Sequence, residues 1–339
     1  MQPEEEYGSH AVSTAPAALT RLPIGMYRFH FRAEEPISLP AYAGSAWRGL
    51  FGHSLKRTVC VTRAQECSGC MLYRSCVYSY VFETPPPQDA QVMRKYTAAP
   101  HPFTLRIEPD AARQLASGDT FSLGLHLFGA GNRQLPYIAH ALRTAGALGI
   151  GRARSRFALT GLEQFSDSRW HGALVDGERL ELAEAQPPKV PTCPDGEVLL
   201  YFDTPLRLQR DGHLLRPQTL RFRDLFANLL RRLSMLSYFH GEGALAVDFA
   251  ALVRASESLA LDTTELRWHD WTRYSSRQKS TMQMGGLLGT ARLDGTALAP
   301  FWPWLWLGQW YHAGKATSMG LGRYRMTAAS LPAAPELVD

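Results

Sequence analysis

Cys60, Cys67, Cys70 and Cys76 stand within seventeen residues of one another, in the spacing C-x6-C-x2-C-x5-C. The inner pair encloses Ser68 and Gly69, a knuckle short enough to turn two thiolates toward one ion, and four thiolates close a tetrahedral site. A structural Zn²⁺ is the first expectation and an iron–sulfur cluster the second. Neither would carry out a reaction, because a site closed by four cysteines keeps no open position. Cys193 lies far away in a proline-rich stretch and reads as incidental.

Histidine is the side chain that gives and takes a proton near neutral pH. His53 precedes Lys56 and Arg57 by about one turn of a helix, His30 alternates with Arg28 and Arg32, and His312 stands just before a glycine-rich stretch. His240 and His269 have no neighbours that suggest acid–base work. The glycine-rich stretch runs from Gly314 to Arg325 and combines Gly314, Gly320 and Gly322 with Lys315, Arg323 and Arg325. Such a backbone lets a polyanion come close. A shorter version at Gly146–Phe157 interleaves Gly149 and Gly151 with Arg152, Arg154 and Arg156. Each turn runs from a helix into a strand and neither ends in Gly-Lys-Ser/Thr, which excludes a dinucleotide fingerprint and a P-loop. A glycine helix cap with solvated arginines is the plainer alternative for either turn alone, and the repetition argues against it.

Several elements must position these groups. Met26–Arg32 alternates as a strand with one apolar and one largely basic face. Ala43–Arg57 carries Ala46, Trp47, Leu50, Phe51 and Leu55 at helical spacing. Phe103–Ile107 and Phe121–Phe128 read as strands, Leu135–Leu148 as a helix and Phe157–Leu162 as a strand. The first half is therefore strand, helix, strand, strand, helix, strand, the ferredoxin-like order. The second half echoes it: a strand at Val198–Phe202, the amphipathic helix Phe222–Leu236, a helical stretch at Phe249–Leu259, strands at Glu265–Tyr274 and Gly286–Leu293, and the Trp-rich helix Pro300–Tyr311. The predicted domains are 22–166, with the cysteine segment at 60–76, and 197–330. A linker at 167–196 and flexible tails at 1–21 and 331–339 complete the chain.

With 339 residues, 45% of them hydrophobic, the chain can bury two cores of ordinary size. The net charge of +5 is modest, but basic residues crowd into 152–156, 207–232, 267–279 and 315–325, which suits a polyanionic partner. No apolar run approaches the length of a membrane span and the first twenty residues hold no signal-peptide core, so no membrane is expected and the cytoplasm is the expected location.

Taken together, Thr204-Pro205-Leu206-Arg207-Leu208 leading into Phe222–Leu236, Trp271–Ser275 with Arg277-Gln278, Gly285–Gly289, His312 with Gly314–Arg325, Trp47–Gly52 and Gly149–Gly151 resemble one family. It is the CRISPR-associated endoribonucleases of the RAMP superfamily that process precursor CRISPR RNA, the Cas six family. The resemblance implies an α+β chain of two tandem ferredoxin-like (RRM-like, RAMP) domains, here with a small cysteine-rich metal-binding insertion. It implies cleavage of CRISPR repeat RNA without a catalytic metal: the 2′-OH beside the scissile phosphate attacks in line and leaves a 2′,3′-cyclic phosphate and a 5′-OH. Such a reaction asks for a base, an acid and a cation.

By its location on the first helix, His53 is expected to supply the acid–base group, with Lys56 and Arg57 stabilising charge and Tyr42 positioning; a helix-terminal histidine answering the helix dipole is the structural alternative. His30 is the runner-up. RNA contacts are expected from Lys315, Arg323 and Arg325 with Gly314, Gly320 and Gly322, from Arg152, Arg154 and Arg156, and from Arg273, Arg277 and Lys279. Trp47, Trp304 and Trp306 are expected in the cores. The partners implied are the repeat RNA or mature crRNA and a CRISPR effector complex. A catalytically silent RAMP subunit holding guide RNA is the alternative. A zinc-bearing DNA-binding scaffold would need a helix aimed at a major groove, and nothing here resembles one.

Overall fold

A computed structural model describes residues 21–86, 99–108, 113–275, 280–329 and 331. The expected tails fall, apart from Arg21 and Leu331, outside the described residues, as do Arg277 and Lys279.

Strand β1 (Ile24–Ala33) buries Tyr27, Phe29, Phe31 and Ala33 on one face and turns Arg28, His30 and Arg32 to the other, as the period-two side-chain alternation of a strand requires. Helix α1 (Gly44–Val59) buries Trp47, Phe51 and Leu55, spaced four apart. Strands β2 (Phe103–Arg106) and β3 (Thr120–Phe128), helix α2 (Leu135–Leu148) and strand β4 (Phe157–Ser166) complete the β-α-β-β-α-β order. Ser54 on α1 donates a hydrogen bond to the Ala141 carbonyl on α2, at 2.5 Å. An added edge strand, β5 (Arg169–Gly172), extends the sheet to β2-β3-β1-β4-β5, antiparallel throughout.

The second domain repeats the plan with β6 (Glu197–Leu206), α3 (Phe222–His240), α4 (Phe249–Ala255) and β7 (Leu266–His269), followed by a hairpin of β8 (Thr272–Ser275) and β9 (Ser280–Gln283). Then come β10 (Gly286–Asp294), α5 (Trp302–Tyr311) and β11 (Tyr324–Thr327). The sheet order is β7-β10-β6-β11, again antiparallel. The single strand expected at 265–274 is thus two: β7 pairs with β10, whereas β8 pairs with β9, and Trp271 between them packs its ring 5.2 Å from that of Tyr42 in the first domain. On α3, Phe222, Leu225, Phe226, Leu229, Leu233 and Leu236 are buried, and Asp224 accepts the Arg221 backbone N–H to close its first turn.

Residues 167–196 carry structure of their own. After β5, the segment accepts indole N–H bonds from Trp302, at the Pro191 carbonyl, and from Trp306, at the Lys189 carbonyl. Trp47, Trp304 and Trp306 are core residues. The domains also share a core: Leu22, Ile24, Met26 and Phe128 of the first pack into the second, where Phe128 meets Tyr311 at 4.7 Å. Among the described residues no helix is long and apolar enough to cross a membrane.

Candidate nucleic-acid interface

The glycine-rich turn between α5 and β11 is a joint between the domains. Gly314, Gly320 and Gly322 have φ of 82°, 87° and 72°, a region costly for any residue with a Cβ. A Cβ on Gly322 would collide with the Ala313 carbonyl, and one on Gly320 would stand 2.7 Å from the Leu105 carbonyl and the Tyr42 hydroxyl. The expectation that these glycines open the backbone to a polyanion is corrected here: what approaches them is the protein's own chain. Gly149 and Gly151 behave alike, against the carbonyls of Arg154 and Ser38.

The cations of the two turns divide sharply. Arg323 is only 4% exposed and is held by Asp203 at 2.9 Å and Glu108 at 3.3 Å, which corrects its expected role as an RNA contact. The neighbouring carboxylates raise its pKa against the opposing effect of burial. Arg325 pairs with Asp203 at 3.2 Å and lies over the Tyr201 ring, remaining partly exposed. Lys315 is exposed and bonds Gln209. Arg152 and Arg154 are exposed and make no ion pair with the described residues, while Arg156 is tied to Glu35 at 2.9 Å. Arg273 lies on β8, where only the backbone is described.

The three residues expected to do the chemistry do not come together. Tyr42 is partly buried: its hydroxyl donates to the Met319 carbonyl at 2.8 Å, and desolvation pushes its pKa far up, so its proton is committed to the joint. His53 lies eleven residues on, about 16 Å along the helix at 1.5 Å per residue, exposed and with no hydrogen bond to the described residues. Lys56 turns away to the cysteine segment, donating to the Gln65 carbonyl at 3.0 Å and standing 5.6 Å from the Tyr78 ring centroid. Arg57 is exposed.

The four cysteines line one small cavity of about 30 Å³. Among the described residues no three His, Cys, Asp or Glu side chains are grouped closely enough to hold a metal ion. The Thr62 hydroxyl sits among the thiols, 3.8 Å from Cys60 Sγ and 3.4 Å from Cys70 Sγ, and its hydrogen bond lowers the Cys70 pKa.

Sequence reasoning offered His30, with Arg28 and Arg32, as the runner-up without seeing its partner, and it missed a second cluster altogether. On the open face of the first sheet, away from the helices, His30 Nε2–H donates to Glu163 at 2.7 Å. Arg28 lies 4.0 Å from the same carboxylate and 4.2 Å from the centroid of the Trp170 ring. On the neighbouring strands Arg28 is paired with Gly124 of β3 and Glu163 of β4, and His30 with Ser122 of β3 and Gly161 of β4. The second cluster is a buried polar seam between the domains. Arg48 donates to Ser318 and to His101, both at 3.0 Å, and His240 joins the Tyr80 hydroxyl to the Pro100 carbonyl. His312 is buried in the same seam, which explains its place before the glycine turn. Only strand register and domain docking reveal these partners. A groove of about 510 Å³ on the second domain is lined by Glu197, Asp262 and Asp294 with Arg292, a set that repels phosphate.

The described chain is thus two tandem ferredoxin-like domains joined through a glycine turn. Residues 22–187 match a family model described simply as an N-terminal domain, and residues 200–324 match the model of the CRISPR-associated endoribonuclease Cas6. An uncharacterized protein of Archaeoglobus fulgidus is 25% identical over 325 residues, covering 91% of this chain and 97% of that one. Among solved structures, a Cas6 product complex superposes with a TM-score of 0.54 at 19% identity, over 90% of this chain and 100% of that one. Cas6 of Thermus thermophilus gives 0.50 at 18% identity, over 90% and 99%. A partial Cas6-RT-Cas1–Cas2 complex gives 0.56 at 15% identity, over 92% of this chain and 47% of that one. It is thus the second domain, over residues 200–324, that is similar to the CRISPR-associated endoribonuclease Cas6.

Proposed function

We propose that the chain cleaves CRISPR repeat RNA within precursor crRNA, by attack of the 2′-OH on the adjacent phosphate. The products are a 2′,3′-cyclic phosphate and a 5′-OH, no metal takes part in the step, and the mature crRNA stays bound in the cytoplasm for transfer to an effector complex. The observation that carries this reading is the family match of residues 200–324. Partly exposed cations support it: Lys315 and Arg325 on the second domain, Arg152 and Arg154 on the first. The reaction needs a histidine within reach of RNA, and exposed His53 meets that need on the helical side of the first domain.

The test is cleavage of the cognate repeat RNA in EDTA, by the unmodified protein and by His53→Ala, with a 2′-deoxy substitution at the scissile nucleotide as control. Cutting that resists EDTA and stops with the 2′-deoxy substrate supports the reaction. Tight binding without any cutting supports instead a silent RAMP subunit, a reading favoured by the dispersal of Tyr42, His53 and Lys56.

A structural metal at Cys60, Cys67, Cys70 and Cys76 is also proposed, on the donor set and on the exposure of the segment's apolar side chains. Val61 and Met71 there are 78% and 90% exposed. Binding would require Thr62 to leave the space between the thiols. Metal analysis of the purified protein checks it: close to one Zn per chain, or an iron cluster seen by its visible absorption, is expected, and a metal-free protein of full stability rules it out.

A further inference from the structure

The open face of the first sheet holds a histidine–carboxylate pair, His30 and Glu163, whose histidine is the runner-up of the sequence reading. We infer that His30, oriented by Glu163, is the acid–base group of RNA cleavage, with Arg28 and Arg32 on the same strand facing the phosphate; this rests on the endoribonuclease reading.

Which side of the sheet a residue occupies decides the matter. Tyr27, Phe29 and Phe31 point toward the helices, so His30, one residue out of phase, stands on the opposite side. His53 stands on α1, on the helical side. A sheet lies between the two histidines, and they cannot serve the same phosphodiester. Of the two, only His30 is held by a carboxylate. The bond from Nε2–H to Glu163 fixes the tautomer and leaves Nδ1 with the lone pair, the arrangement by which a carboxylate orients a catalytic imidazole. The ring remains reachable, its side chain being 37% exposed.

The surroundings suit a phosphodiester. Arg28, His30 and Arg32 recur every second residue along one strand, and Arg32 is exposed at the outer end. Gly161, paired with His30, clears one flank: a Cβ there would sit 3.6 Å from His30 Cδ2. The opposite end of the face is covered by the second domain, where buried His126 approaches the Trp310 carbonyl. RNA is thereby confined to the end where His30 and Arg32 stand.

In the step itself, the 2′-oxygen bonds to phosphorus as its proton passes to His30 Nδ1. The P–O5′ bond breaks, and the departing 5′-oxygen takes a proton from solvent. The imidazolium then returns its proton to solvent. Glu163 gains and loses no proton; it is a positioning residue. Arg28 and Arg32 face the negative charge that accumulates on the phosphorane.

The experiment is single-turnover cleavage of the repeat RNA by the unmodified protein, His30→Gly and Glu163→Gln, alongside affinity for a non-cleavable 2′-deoxy repeat. His30→Gly is expected to slow cleavage by about 10²–10⁴-fold, the usual worth of general acid–base catalysis, while affinity changes far less. Added imidazole should restore part of that rate. Glu163→Gln should slow cleavage with affinity kept, as expected of a group acting through the histidine. Cleavage by His30→Gly at the unmodified rate overturns the assignment and leaves the endoribonuclease reading standing, with His53 as its acid–base group. A rate loss matched by lost affinity and indifferent to imidazole also overturns it, since His30 would then be a binding residue. An unmodified protein that binds the repeat and never cuts it overturns the functional reading and the assignment together.

Discussion

Removing Asp203 should unseat the joint between the domains. Its carboxylate is 3% exposed and holds two guanidiniums, Arg323 through Nε at 2.9 Å and Arg325 through Nε at 3.2 Å. Arg323 is itself 5% exposed, so Asp203→Ala leaves a buried cation whose only other acid among the described residues is the half-exposed Glu108. Breaking a buried ion pair from one side costs about 3–5 kcal/mol. Glu108 keeps part of the compensation and Arg325 can turn to water, which places the cost near the lower bound, about 3 kcal/mol. At about 2–4 °C per kcal/mol for a unit of 150–250 residues, the midpoint should fall by roughly 10 °C. Urea and thermal unfolding followed by tryptophan fluorescence and circular dichroism measure this directly. A loss below about 1 kcal/mol, the scale of a surface pair, would refute the buried-pair reasoning. Arg323→Ala offers a second check. As an internal residue it should lower stability while leaving the salt dependence of RNA affinity alone. A phosphate contact would instead reduce that slope by about 0.7 for a single strand.

The polar seam should make the fold sensitive to acid. Burial lowers the pKa of His101 and His126 to about 3 and that of His240 to about 4, from 6.5. The unfolded chain therefore binds these protons first as pH falls below 6.5, and the folded state loses stability down to about pH 4. Each such histidine adds up to about 1.4 kcal/mol per pH unit. Unfolding midpoints that stay flat between pH 6.5 and 4 would contradict the burial of these rings. At the glycine turn, Gly322→Ala meets both a positive φ and the Ala313 carbonyl and should cost well over about 1 kcal/mol. Gly172→Ala, with open space around it, should stay within about 0.5 kcal/mol. A Gly322→Ala protein of full stability that fails only in RNA binding would return the turn to the ligand.

Alternation and helical spacing were enough to read the double β-α-β-β-α-β order, because Phe29, Phe31, Trp47, Phe51 and Leu229 reveal their faces locally. What stayed hidden depends on partners distant in sequence. His30 and Glu163 are 133 residues apart, and Arg323 and Asp203 are 120 apart. No local pattern states which strand lies beside β1, and so none states that a carboxylate faces its histidine. Glycine is ambiguous for a related reason. The sequence shows where the backbone is free to turn, but not whether a phosphate or a neighbouring carbonyl fills the space the missing Cβ leaves. The division of 265–274 into two strands was equally unreadable, since Trp271 is drawn out of the sheet by an aromatic contact with Tyr42 across the domain boundary.

That boundary bears on how RNA can be held. Tyr42 and Arg48 of the first domain bond Met319 and Ser318 of the turn, while Thr204 and Pro205 of the second bond Gly320 and Gly322. A Cβ on Gly44 would strike the Met319 carbonyl, so α1 and the turn are already in backbone contact. Hinged closure around a ligand would have to break these bonds and expose Phe128 against Tyr311. With the domains fixed in this way, the open sheet faces are set before RNA arrives, and binding energy need not go into domain movement. On the proposed reading, specificity then comes from exposed side chains, Arg32, Arg152, Arg154 and Lys315, rather than from the glycines between them. If the chain cleaves RNA as proposed, a preformed face favours a catalytic group oriented without the ligand: His30 is bonded to Glu163, whereas His53 makes no hydrogen bond to the described residues.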